Sequence, residues 1–171
     1  MKIALINENS QAAKNSMIEN ALRKVVEPMG HQVFNYGMYT AEDEAQLTYV
    51  QVGILAAVLL NSGAADYVIT GCGTGEGAML ACNSFPGVIC GHVEDPVDAY
   101  TFAHVNDGNA VAMPLIYIVL NFTVFVVVQI STELLSNFVY GLGSVSDSVL
   151  SLSLILSPIL LVFSGNIQLI W

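Results

Sequence analysis

Five short apolar runs, each closed by a polar or glycine-rich turn and followed by residues at helical spacing, constrain this chain more than any other feature. They are Ile3 to Ile6, Gln32 to Tyr36, Tyr67 to Thr70, Val88 to Gly91 and Ala110 to Met113. Short apolar runs of this kind read as strands buried on both faces, as in a parallel sheet. Between the first two, Ala13, Met17, Ala21 and Val25 recur at four-residue spacing, so Gln11 to Glu27 is expected as one helix, stopped by Pro28 and Gly30. The acidic stretch Thr40 to Glu44 is expected to open a second helix, with Leu47, Val50, Ile54, Ala57 and Val58 as its apolar face. Short helices are expected over Ala78 to Asn83 and from Pro96 to about Val105. Strands alternating with helices imply an α/β fold with right-handed crossovers. With strand order 2-1-3-4-5, a ligand would sit between the carboxyl ends of strands one and three. The loops there are Asn7-Glu8-Asn9 and Gly71 to Gly77.

Charge and cysteine content narrow the function. A net charge of −10 argues against nucleic acid as a partner. Four basic residues, Lys2, Lys14, Arg23 and Lys24, all lie near the start. Three cysteines, Cys72, Cys82 and Cys90, without an apparent secretory signal, point to a reducing cytoplasm rather than a disulfide framework. No Cys-x-x-Cys occurs and His31, His92 and His104 lack ligand spacing, so no metal is expected.

The glycine turn carries the chemistry. Gly73, Gly75 and Gly77 leave backbone N–H groups uncrowded where a helix starts, and such groups attract an anion. Cys72 precedes them, and a helix N-terminus favours thiolate, a base or nucleophile. A base facing an N–H cradle suits aldose–ketose isomerisation, in which a proton leaves the carbon beside a carbonyl and the enediolate is held by aimed donors. Each element also has a plain reading: a tight turn for the glycines and a small buried hydrophobe for Cys72. Anion binding without catalysis, or thiol acyl transfer, remain alternatives at this level.

Ile69-Thr70-Gly71-Cys72-Gly73-Thr74-Gly75, with Asn106-Asp107-Gly108-Asn109 downstream, resembles the ribose-5-phosphate isomerase B / galactose-6-phosphate isomerase family over about residues 2–113. The resemblance implies a three-layer, flavodoxin-like Rossmann sandwich. It also implies a homodimer or higher oligomer with the site near the subunit boundary, a sugar or sugar phosphate as substrate, and no cofactor. It makes Cys72 the proton-abstracting base and the Gly73, Gly75 and Gly77 backbone the anion hole. Thr74 would assist at the substrate hydroxyls, and Asn106 would touch the sugar. Glu8 and Asn9 stand where the family has Asp-His, and Tyr49 matches a tyrosine near the family's site. Glu76 replaces an apolar residue and reads either as a proton donor or as an acid favoured at a helix start. The family's ring-opening histidine aligns with Val105, one position from His104. No arginine follows Arg23, so the phosphate-binding arginines find no match. A non-catalytic sugar- or anion-binding module of the same fold is the alternative.

Residues 114–171 break the pattern. Ala110 to Ile130 and Val149 to Trp171 carry no charge over 21 and 23 residues, enough for membrane spans. They lack flanking Lys or Arg, and Val124 to Val128 is β-branched and aromatic. The expectation is an atypical apolar tail, derived from a shifted reading frame or inserted in a membrane, behind an isomerase-like domain at 1–113.

Overall fold

The computed structural model describes residues 1–117. The expectations for the apolar tail beyond residue 117 therefore lie outside the described residues. Among the described residues no helix is long and apolar enough to cross a membrane.

Strands β1 (Lys2–Asn7), β2 (Gln32–Asn35), β3 (Tyr67–Cys72), β4 (Cys90–His92) and β5 (Ala110–Pro114) form one parallel sheet. Helices α1 (Asn15–Val26), α2 (Tyr49–Asn61), α3 (Glu76–Asn83) and α4 (Pro96–Asn106) connect them. The α/β class and Rossmann-like layering are those read from the sequence. The strand order is β2-β1-β3-β5-β4, which corrects the expected 2-1-3-4-5 at one edge. The reason is visible in the two strands. All five residues of β5 are buried, as an interior strand requires, whereas β4 is three residues long and ends in a half-buried histidine. Short strands suit an edge.

Right-handed crossovers put α2 and α3 on one face and α1 and α4 on the other. Ala4, Ile6, Val68, Cys72, Ala110 and Ala112 pack with Val52, Ala56, Leu59, Ala78 and Cys82 in a single cluster on the α2/α3 face. On the far face, a Cβ on Gly91 would lie 2.6 Å from the Phe102 ring, so α4 rests directly on the edge strand.

Two helix starts differ from expectation. The chain leaves β1 through a 3-10 turn (Asn9–Lys14) capped by Glu8, and only then enters α1. Buried Asn15, at the start of α1, exchanges two side-chain hydrogen bonds with Asn35, which fixes where that helix begins. The acidic stretch does not open α2. Asp43 instead folds back and accepts from the Tyr39 and Thr40 N–H groups and the Thr40 hydroxyl. These bonds, the one from Tyr39 foremost, hold its carboxyl below the usual carboxylate range. The α2 start is a capping box made by Thr48 and Gln51.

The buried face of α2 is also rotated from the expected one. It buries Val52, Gly53, Ala56, Ala57 and Leu59, and exposes Val50, Ile54 and Val58. A helix apolar all round gives no polar stripe from which to read its phase. The small residues decide it: a Cβ on Gly53 would lie 2.6 Å from the Ala81 carbonyl, so α2 and α3 approach backbone to backbone.

Glu19 ties α1 to the end of β2 and the loop beyond. It accepts from Asn35 Nδ2 (2.7 Å), the Tyr39 hydroxyl (2.9 Å) and the Arg23 guanidinium (2.8 and 3.0 Å). Burial pushes its carboxyl up, but the donors Asn35, Arg23 and Tyr39 outweigh it and hold the group below its usual value. A depressed carboxylate contributes stability that is complete above its unfolded value and is lost as pH falls through the folded one. Glu19→Gln is expected to cost about 1–2 kcal/mol at pH 7. In denaturation at stepped pH, the gap to wild type should close as pH drops below about 4. A gap independent of pH would show that the charge is irrelevant.

Candidate active site

The carboxyl ends of β1 and β3 lie side by side, Asn7 paired with Gly71, and β3 continues one residue further so that Cys72 faces Pro114 of β5. The Asn7-Glu8-Asn9 loop and the glycine turn therefore share one end of the sheet, as the switch-point argument requires. The Thr70 hydroxyl donates to the Ile6 carbonyl at 2.6 Å and secures this pair of strands just below the site.

Cys72 is almost fully buried, at the edge of the α2/α3 cluster. The turn after it is shaped by its glycines in different ways. Gly75 has φ 81°, and a Cβ there would meet the Met113 backbone at 2.7 Å and the His92 ring at 2.9 Å. Gly77 lies under the Tyr49 ring, where a Cβ would be 3.3 Å from the ring carbons. Gly73 faces open space. Gly75 is the N-cap of α3 and no side chain caps that end. The N–H groups of residues 73–78 donate to no backbone carbonyl among the described residues. N–H groups left free at a helix start are donors available to an anion.

Several expected site residues meet here. Asn9 is half-buried, and its N–H donates to the Leu47 carbonyl at 2.8 Å. That bond joins the β1 loop to the segment carrying Tyr49, whose ring covers Gly77. Thr74 and Glu76 are exposed on the turn, Glu76 as the first residue of α3. Glu8 is buried, and its carboxylate is occupied by the Ser10 N–H (3.0 Å) and hydroxyl. It acts on the loop as a cap.

Asn106 is not brought to Cys72 within one chain. It ends α4, four residues before β5 begins, while Cys72 stands beside the last residue of β5. The length of β5 alone separates these ends by about 13 Å. His104 is exposed on α4 and stacks on Tyr100, ring centroids 5.6 Å apart.

Three residues at this end of the sheet were not assigned from sequence. His92 Nε2 donates to the Thr74 carbonyl at 2.8 Å and so braces the glycine turn, with Nδ1 3.8 Å from Glu94. The only hint was its place just past a strand end. Asn7 is buried and donates to the Gln11 carbonyl at 2.6 Å, while its Oδ1 has no partner among the described residues. Lys14 donates to the Leu115 carbonyl, just past β5. No metal-ligating cluster occurs among the described residues.

The chain matches the family model "Ribose/Galactose Isomerase" over residues 3–128, a match that passes Met113. No curated protein sequence matches it at a significant level. Among solved structures, a 4-deoxy-L-threo-5-hexosulose-uronate ketol-isomerase complexed with a tartrate is 58% identical, with TM-score 0.74. That match covers 76% of this chain and 63% of the other, so the chain spans less than two thirds of that relative's length. A ribose-5-phosphate isomerase from Vibrio parahaemolyticus is 38% identical, covers 88% of this chain and 80% of its own, and has TM-score 0.71. A ribose 5-phosphate isomerase from Thermotoga maritima, 22% identical with TM-score 0.64 over 76% of this chain and 85% of its own, shares the fold. A glycine-rich turn set between parallel strand ends and a family match over most of the chain lead to one assignment: this protein belongs to the ribose/galactose isomerase family.

Proposed function

We propose that the protein is an aldose–ketose isomerase acting on a sugar or sugar derivative, with Cys72 as the base and no metal or organic cofactor. The observation that carries this reading is the row of N–H groups at residues 73–78, starting directly after Cys72, that have no hydrogen-bond acceptor among the described residues. The Cys72 thiolate takes the proton from C2 of the open-chain aldose. The C2–H electron pair becomes the C1–C2 double bond, and the carbonyl oxygen takes the negative charge. That oxygen is held by the cradle, where donors fixed in advance cost no reorganisation. Returning the proton from Cys72 to C1, with a proton moved between the two oxygens, gives the ketose. Glu76 and Thr74, exposed on the same turn, are the groups for the oxygen-to-oxygen transfer. Asn9 and Tyr49 border the sugar. The ketol-isomerase relative supports the reaction class.

Exchange of the C2 hydrogen in deuterated water, followed by NMR over a panel of sugars, sugar phosphates and uronates, tests the reading. Cys72→Ala is expected to reduce exchange by 10³-fold or more, about 4 kcal/mol of transition-state stabilisation, while Cys82→Ala and Cys90→Ala retain it. Equal losses in all three, with folding intact, would assign Cys72 to packing. Binding of a sugar without any exchange by wild type would favour the non-catalytic module, a reading drawn from the absent ring-opening histidine and arginines.

Asn106 belongs to this site only if a second copy supplies it, because within one chain it lies at the opposite end of β5. The protein is then a homo-oligomer with sites at subunit boundaries. Cys72→Ala and Asn106→Ala proteins, each inactive, should regain about a quarter of wild-type activity when refolded together, since random pairing makes half the molecules mixed and each mixed dimer has one intact site. Mixtures that stay inactive would place Asn106 outside the site.

A further inference from the structure

We infer that Lys14 is the residue that binds the substrate's terminal anion, and that this anion is a carboxylate, making the substrate a sugar acid. The inference rests on the isomerase reading above and adds a specificity-determining residue to it.

The first observation is how few cations exist. The whole chain has four Lys and Arg residues: Lys2, Lys14, Arg23 and Lys24. Lys2 begins β1, at the amino end of the sheet, and donates to the Gly63 carbonyl. Arg23 and Lys24 fall in the last turn of α1, which has run back to the same end. Arg23 is also paired with Glu19 and Glu27. Lys14 alone ends the 3-10 turn that leaves the carboxyl end of β1. Within one chain, Lys14 is therefore the cation at the same end of the sheet as the glycine turn.

The second observation is where the ammonium is held. Its Nζ donates to the Leu115 carbonyl, and the Ile116 N–H donates to the Gly73 carbonyl at 3.1 Å. The Leu115 carbonyl and the Ile116 N–H are the two sides of one peptide group. A single planar unit therefore bridges the lysine to the first residue of the glycine turn. Adding the peptide's own O-to-N distance places Nζ no more than about 8 Å from the Gly73 oxygen. Lys14 is half-buried, and among the described residues no carboxylate lies within ion-pair distance of it. An ammonium has three donors, so the Leu115 bond leaves two for a ligand.

The third step is chemical fit. In a six-carbon uronate four carbon–carbon bonds separate C2 from the carboxylate carbon, an extended span of about 5 Å. A substrate with C2 at Cys72 and its far end toward Leu115 reaches Lys14 on that scale. One ammonium balances one carboxylate. A phosphate monoester, close to doubly charged near neutral pH, would keep an uncompensated charge inside an acidic chain.

The test compares wild type with Lys14→Met and Lys14→Arg on three substrates: a 4-deoxy-5-hexosulose uronate, ribose 5-phosphate and unphosphorylated ribose. For Lys14→Met the KM for the uronate should rise at least 10-fold while kcat changes less than about 3-fold, the mark of lost ground-state binding. Lys14→Arg should recover most of the affinity, and turnover of the neutral sugar should not change. Parallel loss on charged and neutral substrates, with lowered thermal stability, would overturn the inference and leave Lys14 as a brace for Leu115. Preference of wild type for ribose 5-phosphate over the uronate would overturn the carboxylate assignment. If wild type isomerises nothing, the isomerase reading fails by itself. Tartrate binding by calorimetry then decides Lys14 alone: at least 10-fold weaker binding in Lys14→Met supports the anion site, and equal binding removes it.

Discussion

The close approach of β3 to β5 at Gly71 is the contact on which the rest of this structure depends. A Cβ at that position would lie 2.3 Å from the Met113 carbonyl oxygen and 2.7 Å from Leu115 Cγ, distances no side chain tolerates. Hydrogen in place of a methyl group lets Leu115 bury itself beside the end of β3. Once Leu115 is seated, its peptide group reaches Lys14 on one side and Gly73 on the other. The same pairing aligns Cys72 with Pro114. One missing Cβ thus sets the positions of Cys72, the start of the glycine turn and Lys14 together. Gly75 extends the arrangement, because its left-handed φ turns the chain into α3, whose start no side chain caps.

The α2/α3 layer sets Cys72 apart from the other two cysteines by position. Cys82 and Cys90 are free thiols buried in the core, and the hydrogen bond between them lowers the Cys82 thiol while raising that of Cys90. That bond, with burial added, pushes the Cys90 thiol far up, so it stays protonated. Asn83 brackets the Cys90 backbone from both sides, donating to its carbonyl and accepting from its N–H at 2.8 Å each. These two thiols complete the packing of α3 on β4. Cys72 sits at the mouth of the same layer, where α3 begins. The division of roles follows from position along one short helix: its N-terminus meets the site, and its C-terminus is locked to the edge strand.

The sequence made the fold class legible because apolar runs and helical spacings are local patterns, and the glycine turn was legible because alternate glycines fit neither helix nor strand interior. What escaped were relations between distant segments. The exchange of β4 and β5 depends on which strand can bear burial on both faces, a comparison between Cys90–His92 and Ala110–Pro114 rather than a property of either. The phase of α2 was set by the fit of Gly53 against Ala81, invisible in a helix apolar on every side. Thr40 to Glu44 looked like a helix start because Asp and Glu favour that place, yet Asp43 found nearer donors in Tyr39 and Thr40. Asn106 was read into the site from a motif, and only the strand register shows that it enters from another copy or not at all. Lys14 carried no signal, since its partner lies 101 residues away in sequence.

A net charge of −10 weighs against the anionic enediolate that the proposed reaction requires. The resolution is that net charge acts at long range and is screened over about 8–10 Å at physiological salt, whereas a cradle of N–H dipoles and a half-buried ammonium act at contact. Several of the acids among the described residues are already engaged elsewhere. Glu8 is bound to Ser10, Asp43 to its own turn, Asp95 to the start of α4, and Glu19 to Arg23 and Asn35. Among the described residues, Glu76 is the acid on the glycine turn itself, exposed as the first residue of α3. A field that is repulsive at a distance and attractive only within the cradle favours ligands small enough to enter it. On the isomerase reading, a ligand is then admitted by size and held by contacts with the turn and with Lys14, so size and contact charge act together.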